Sequence, residues 1–111
     1  MKTQVLPVNE ESIALGGKIL REGGLVGMPT ETVYGLGANA LDEAASAKIY
    51  AAKGRPQNNP LIVHIATPGD AEKYAYTSEA YRRLAKAFMP GPLTVIMPKR
   101  DCIPLGVTGG L

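Results

Sequence analysis

Lys53 and Arg55 stand on either side of Gly54, and two cations so spaced can gather the oxygens of an anion. Glycine lets the backbone turn tightly enough for both side chains to converge, Arg offering a planar fork for phosphate oxygens and Lys a mobile point charge. A plainer reading is a helix end, where a last-turn cation complements the macrodipole for about 0.3–1 kcal/mol and faces water. The next five residues favour the first reading. Pro56-Gln57-Asn58-Asn59-Pro60 is a stiff polar loop, and the Asn59 amide both donates and accepts, as nucleotide recognition requires. The GxxxxGK[ST] order of a glycine phosphate cradle is absent, so a phosphate here would be held by side chains.

His64 is the sole histidine. It alternates with Leu61, Val63 and Ile65 and so shares a face with Ile62 and Ala66. A lone imidazole there fits a satisfied core group, and it also fits a ligand contact just after a cationic loop. With no second His, a multi-histidine metal site or a Ser-His-Asp triad has little support. Upstream, Pro29–Gly37 packs Thr30, Glu31, Thr32 and Tyr34 behind the apolar run Leu25–Met28. Extended backbone would aim Thr30, Thr32 and Tyr34 one way and Glu31 and Val33 the other. Such a row of hydroxyls suits a small polar zwitterion, although a Thr-rich strand continuation has the same pattern. Gly35 and Gly37 indicate a tight turn or close approach of a ligand. Glu31 fits an ammonium or metal partner and equally a surface acid.

These groups need a scaffold, and changes of period along the chain supply one. A helix is expected over about Asn9–Glu22, with Asn9 as N-cap, Ile13, Leu20 and either Gly16 or Gly17 on one face and Gly23-Gly24 as its stop. Leu25–Met28 reads as a short buried strand. A second helix runs from its Asp42 cap to Ala52, with Ala45, Ile49 and Ala52 inward and Gly54 ending it. Leu61–Ala66 is the next strand, too uniformly apolar for a half-exposed edge. Ser78 caps a third helix reaching Met89, with Tyr81, Leu84, Ala85 and Phe88 on one stripe, and Pro90-Gly91-Pro92 stops it. Leu93–Met97 is a third strand. Alternating helices and strands define an α/β class, a sheet covered by helices.

The totals bound the answer. A chain of 111 residues fits one domain, and 45% hydrophobic with 20% charged residues is ordinary for a globular protein. A net charge of +2 is too small to argue nucleic-acid binding, though it leaves room for a local cationic pocket. Cys102 is alone, with no CxxC or Cys/His zinc spacing, which fits a reducing cytosol. No apolar run is long enough for a membrane span, and no signal-peptide core follows Met1-Lys2-Thr3-Gln4, so a cytoplasmic location is expected. Thr108-Gly109-Gly110-Leu111 reads as a turn leading into a further strand, so the rest of the domain is expected to lie outside this chain.

Taken together, Pro29-Thr30-Glu31-Thr32-Val33-Tyr34-Gly35-Leu36, Lys53-Gly54-Arg55-Pro56, Asn59-Pro60-Leu61, His64 and Pro90-Gly91-Pro92-Leu93-Thr94 resemble the YrdC family of threonylcarbamoyl-AMP synthases. The resemblance spans the chain from about Asn9 onward. It implies a twisted open α/β sheet with flanking helices around a concave, positively charged cavity, incomplete here at the C-terminus. It implies condensation of L-threonine, bicarbonate and ATP into threonylcarbamoyl-adenylate with release of pyrophosphate, magnesium arriving with ATP. A tRNA threonylcarbamoyl transferase complex then passes the group to tRNA, so tRNA is an indirect or weak partner. Matched position to position, Thr32 and His64 would bind L-threonine, Arg55 and Asn59 would contact ATP, and Lys53 would share the same cationic pocket. Lys53 and Arg55 would act electrostatically, with no protein nucleophile. Family members continue past the Gly-Gly-Leu region into a strand with a threonine and an arginine and later a Ser-x-Asn segment. The chain as given is therefore expected to be the N-terminal portion of a single domain, unable to complete the ATP site.

Two other readings compete. Carbamoyltransferases of hydrogenase maturation carry a similar domain, and YciO-type paralogues share its fold. An RNA-binding module using a cationic concavity is the second, weakened by the scarcity of aromatic residues for base stacking.

Overall fold

The computed structural model describes residues 2–54, 56 and 59–110. Three helices form where their caps predict. Asn9 accepts a hydrogen bond from Ser12 N and opens α1, Glu10–Arg21, in a reciprocal capping box. Asp42 accepts from Ala45 N and opens α2, Glu43–Lys53. Ser78 accepts from Tyr81 N and opens α4, Glu79–Phe88. Acids in the first turn and bases in the last of each complement the helix dipole. Two short helices, α3 (Ala71–Tyr74, preceded by a 3₁₀ turn over Pro68–Asp70) and α5 (Leu105–Thr108), are too brief to show a period in sequence.

Among the described residues the sheet has two strands, β1 (Val26–Met28) and β2 (Gly35–Gly37), paired antiparallel with Val26 opposite Gly37 and Met28 opposite Gly35. Gly35 and Gly37 therefore belong to a strand. The space beside Gly37 is filled from within: a Cβ there would lie 2.6 Å from Met28 Cε. The class is α/β, as expected, and the observed pair is a hairpin.

Leu61–Ala66 and Leu93–Met97 are extended without being ladder strands. Their burial alternates strictly, with Leu61, Val63 and Ile65, and Leu93, Val95 and Met97, turned inward. Ile62, His64 and Ala66 face outward, as do Thr94 and Ile96, the latter 97% exposed. Period-2 burial is what extended backbone dictates, but a strand also needs a partner, and these segments pack on helices instead. Ile65, Val95, Met97 and Met89 lie against Ala71, Tyr81 and Ala85 of α3 and α4. The uniformly apolar composition of Leu61–Ala66 is thus half-exposed, contrary to expectation.

Helix faces also shift slightly. In α2 the buried residues are Ala45, Ser46, Ile49 and Tyr50, while Ala52 is exposed. In α4 Tyr81 and Ala85 are buried, but Leu84 and Phe88 remain exposed, as does Ile13 of α1. The expected stripe has the right period and is too wide, because only its centre meets a neighbour. After Pro104 the chain forms α5 and then turns at Gly109 and Gly110, the turn that the sequence indicates. α5 packs on α2, burying Val107 to 1% exposure.

Candidate functional site

Residues picked from the sequence fall on two scaffolds. The first is the hairpin. Its loop 29–34 is bent, and Thr30 is the cause: Thr32 N donates to Thr30 Oγ1 at 3.2 Å, and the Thr30 hydroxyl donates to Val33 O. A Thr hydroxyl receiving the N–H two residues on mimics a backbone turn. Bent backbone loses the period of 2, so the extended row through Tyr34 is not formed as expected, while the Thr30 and Thr32 hydroxyls still lie side by side. Thr30 folds the loop. Thr32 stays exposed, with Oγ1 3.4 Å from Thr30 Oγ1 and able to exchange that contact for a ligand. Glu31 is exposed and makes no ion pair among the described residues.

The second scaffold is the end of α2 with α5. Lys53 lies in the last turn of α2, exposed and without an acidic partner among the described residues. Gly54 closes the helix in the left-handed region (φ 64, ψ 28), its N–H donating to Tyr50 O. Arg55, the other predicted cation, lies outside the described residues. Asn59 is exposed; its N–H reaches Pro56 O at 3.3 Å and its carbonyl receives the Tyr50 hydroxyl at 2.6 Å, leaving its side-chain amide without a hydrogen bond among the described residues. Leu61 N then donates to Val107 O at 2.8 Å, so the segment bearing His64 starts from α5. The scaffolds are joined by Lys48 of α2, whose Nζ donates to Gly23 O at 2.6 Å at the entrance to β1.

His64 is exposed, which rules out the core reading: the alternation puts Leu61, Val63 and Ile65 inward and leaves His64 on the open face. Its Nδ1 sits 3.0 Å from Ile62 O. A carbonyl can only accept, so this contact puts a proton on Nδ1 and leaves Nε2 without a hydrogen bond among the described residues. Tyr50, which joins the loop to the fold, is not among the residues that sequence reasoning picks out. The signal is its place three residues before Lys53 on the buried face of α2.

A shallow groove of about 540 Å³ opens elsewhere, lined by Pro68, Glu72, Tyr81, Arg82, Lys86 and Met89 among others. None of Thr32, Lys53, Asn59 or His64 lines it. Among the described residues no three His, Cys, Asp or Glu come together as metal ligands, and no helix is long and apolar enough to cross a membrane.

The hairpin, the end of α2 and the segments that follow it present a threonine hydroxyl, a cation, an amide and an imidazole to solvent. Comparison with known proteins gives the family. The model of the Sua5_yciO_yrdC family, described as "Telomere recombination", matches residues 18–111. The chain belongs to the Sua5/YciO/YrdC family. It is 52% identical over 105 residues to the threonylcarbamoyl-AMP synthase of Pyrococcus abyssi, covering 94% of this chain and 31% of that protein. It is 50% identical over 111 residues to the Bacillus subtilis threonylcarbamoyl-AMP synthase, covering 98% and 32% respectively. The crystal structure of P. abyssi Sua5 complexed with L-threonine superposes with a TM-score of 0.89 at 51% identity, over 96% of this chain and 32% of that one. The chain thus spans about a third of the length of these relatives.

Proposed function

We propose that the protein to which this chain belongs is an L-threonylcarbamoyl-AMP synthase, joining L-threonine, bicarbonate and ATP. The observation that carries the reading is the 52% identity, over 94% of this chain, to a protein of that name. The L-threonine found in the structure of a relative with the same fold supports the substrate.

The chemistry comes from charge. The threonine amine combines with bicarbonate, losing water, to give a carbamate. A carbamate oxygen then attacks the α-phosphorus of ATP, and pyrophosphate leaves. Two anions must meet, which fixed positive charge in a partly dry site makes possible. Lys53 and Arg55 supply that charge, and Asn59 contacts the nucleotide with its side-chain amide. Thr32 offers its exposed hydroxyl to threonine, and His64 accepts a proton-bearing group at Nε2. Magnesium enters with the triphosphate as part of that substrate and shields its charge. Positioning and neutralisation supply the rate, with no covalent enzyme intermediate. The adenylate then passes to a tRNA threonylcarbamoyl transferase complex in the cytoplasm.

The test is product identity with the intact protein. Mass spectrometry of a reaction containing ATP, threonine and bicarbonate should show threonylcarbamoyl-adenylate and pyrophosphate in equal amounts, absent when threonine is omitted. Adenylate formed from carbamoyl phosphate without threonine would point to the carbamoyltransferase reading and defeat this one.

A further inference from the structure

Tyr50 is a buried polar group that the proposed chemistry leaves unused. It is 2% exposed, and its phenol hydroxyl lies 2.6 Å from Asn59 O and 3.1 Å from Gly106 O. A phenol has a single hydrogen, so two carbonyls share one donor, the shorter contact taking most of it. The same residue also acts through its backbone: Tyr50 O receives Gly54 N–H at the helix end. Gly54 and Asn59, at the two ends of the loop, are thereby fastened to one side chain and its own carbonyl. The neighbouring bond from Leu61 N to Val107 O, 2.8 Å long, continues the same seam between the loop and α5.

We infer that Tyr50 is a positioning residue for the nucleotide subsite: its hydroxyl fixes Asn59 relative to Lys53. This rests on the synthase reading for the identity of the nucleotide, but the tether itself is a property of the chain. Lys53 is held by the helix, three residues beyond Tyr50, so helix and loop share one reference point. Threonine is contacted from the hairpin and from His64, neither of which bonds to Tyr50, so the two substrates should respond differently to its loss.

The experiment uses the intact protein with Tyr50→Phe, which deletes one oxygen and keeps the ring in place. Losing a hydrogen bond of this kind should raise the KM for ATP about tenfold while the KM for threonine stays within about twofold. Replacement of Tyr50 by 4-aminophenylalanine restores a donor at the same point and should recover most of the ATP affinity. In parallel, amide exchange should quicken at Gly54, Asn59 and Leu61 and not in α4. Equal rises in both KM values, or exchange that quickens throughout the chain, would make Tyr50 a general structural residue and overturn the inference. So would an unchanged KM for ATP. If the wild-type protein forms no threonylcarbamoyl-adenylate, the functional reading fails, and the exchange pattern alone then decides whether Tyr50 tethers the loop.

Discussion

Replacing Gly54 by alanine isolates the backbone geometry on which the cationic loop depends. Gly54 has φ 64, where an L side chain is strained by about 1–2 kcal/mol. Among the described residues outside its immediate chain neighbours, no atom lies within 4 Å of the position its Cβ would take, so no collision with them adds to that figure. The stiffer unfolded chain of the alanine variant returns about 0.4–1 kcal/mol, leaving a net loss near 1 kcal/mol. In a chain of this size that corresponds to about 4–8 °C in Tm. Gly69 is the control: its Cβ position is equally open, and it is not among the positive-φ glycines, so Gly69→Ala should be neutral or slightly stabilising. Urea denaturation of the two variants beside the wild type measures the difference directly, with m unchanged if only the folded loop is strained. A Gly54→Ala protein as stable as the parent would contradict the left-handed turn after α2. A loss above about 3 kcal/mol would mean that the Cβ meets something, and the open loop would be wrong.

Three further outcomes are expected from the same structure. Asp42→Ala removes the carboxylate that caps α2 and should lower stability by about 1 kcal/mol, read by the same denaturation. Asp70 has its carboxyl held below the usual carboxylate range by the Lys73 ammonium and by the Thr67 N–H. A depressed folded pKa gives stability that is present above the ordinary carboxylate value, about 3.9, and is lost as pH falls through the folded value, so Asp70→Asn should weaken the protein at neutral pH and make no difference in strong acid. His64→Ala should raise the KM for threonine about tenfold with little effect on ATP, as loss of one polar ligand contact predicts. A fall in thermal stability with unchanged kinetics would instead return His64 to a structural role.

The helices are legible in sequence because their signals are local. Asn9, Asp42 and Ser78 sit one residue before periodic segments, and Gly54 sits one residue after, so caps and stops mark the ends without knowledge of anything distant. The strands are not, because a ladder is a relation between segments. Leu61–Ala66 and Leu93–Met97 have strand composition and strand alternation, yet residues of both touch the α3–α4 face instead. The true second strand, Gly35–Gly37, has almost no β propensity, and the Met28 side chain across the pair fills the space beside it. Site residues divide along the same line. Lys53 and Asn59 are exposed, in the last turn of α2 and in the segment after it, while the turn made by Thr30 and the reach of Tyr50 across to Asn59 depend on the folded backbone. Family membership, by contrast, is carried by the motifs from Pro29 to Thr94 and agrees with the match over residues 18–111.

Everything proposed about catalysis depends on fixed positive charge after α2 bringing a carbamate to the α-phosphorus of a nucleotide. Steady-state pyrophosphate release by the intact protein and its Arg55→Ala variant, at varied ATP and then at varied threonine, tests it most directly. A KM for ATP at least about tenfold higher is expected in the variant, from the loss of a charge-assisted contact, with the KM for threonine nearly unchanged. Identical ATP dependence in the two proteins would contradict it.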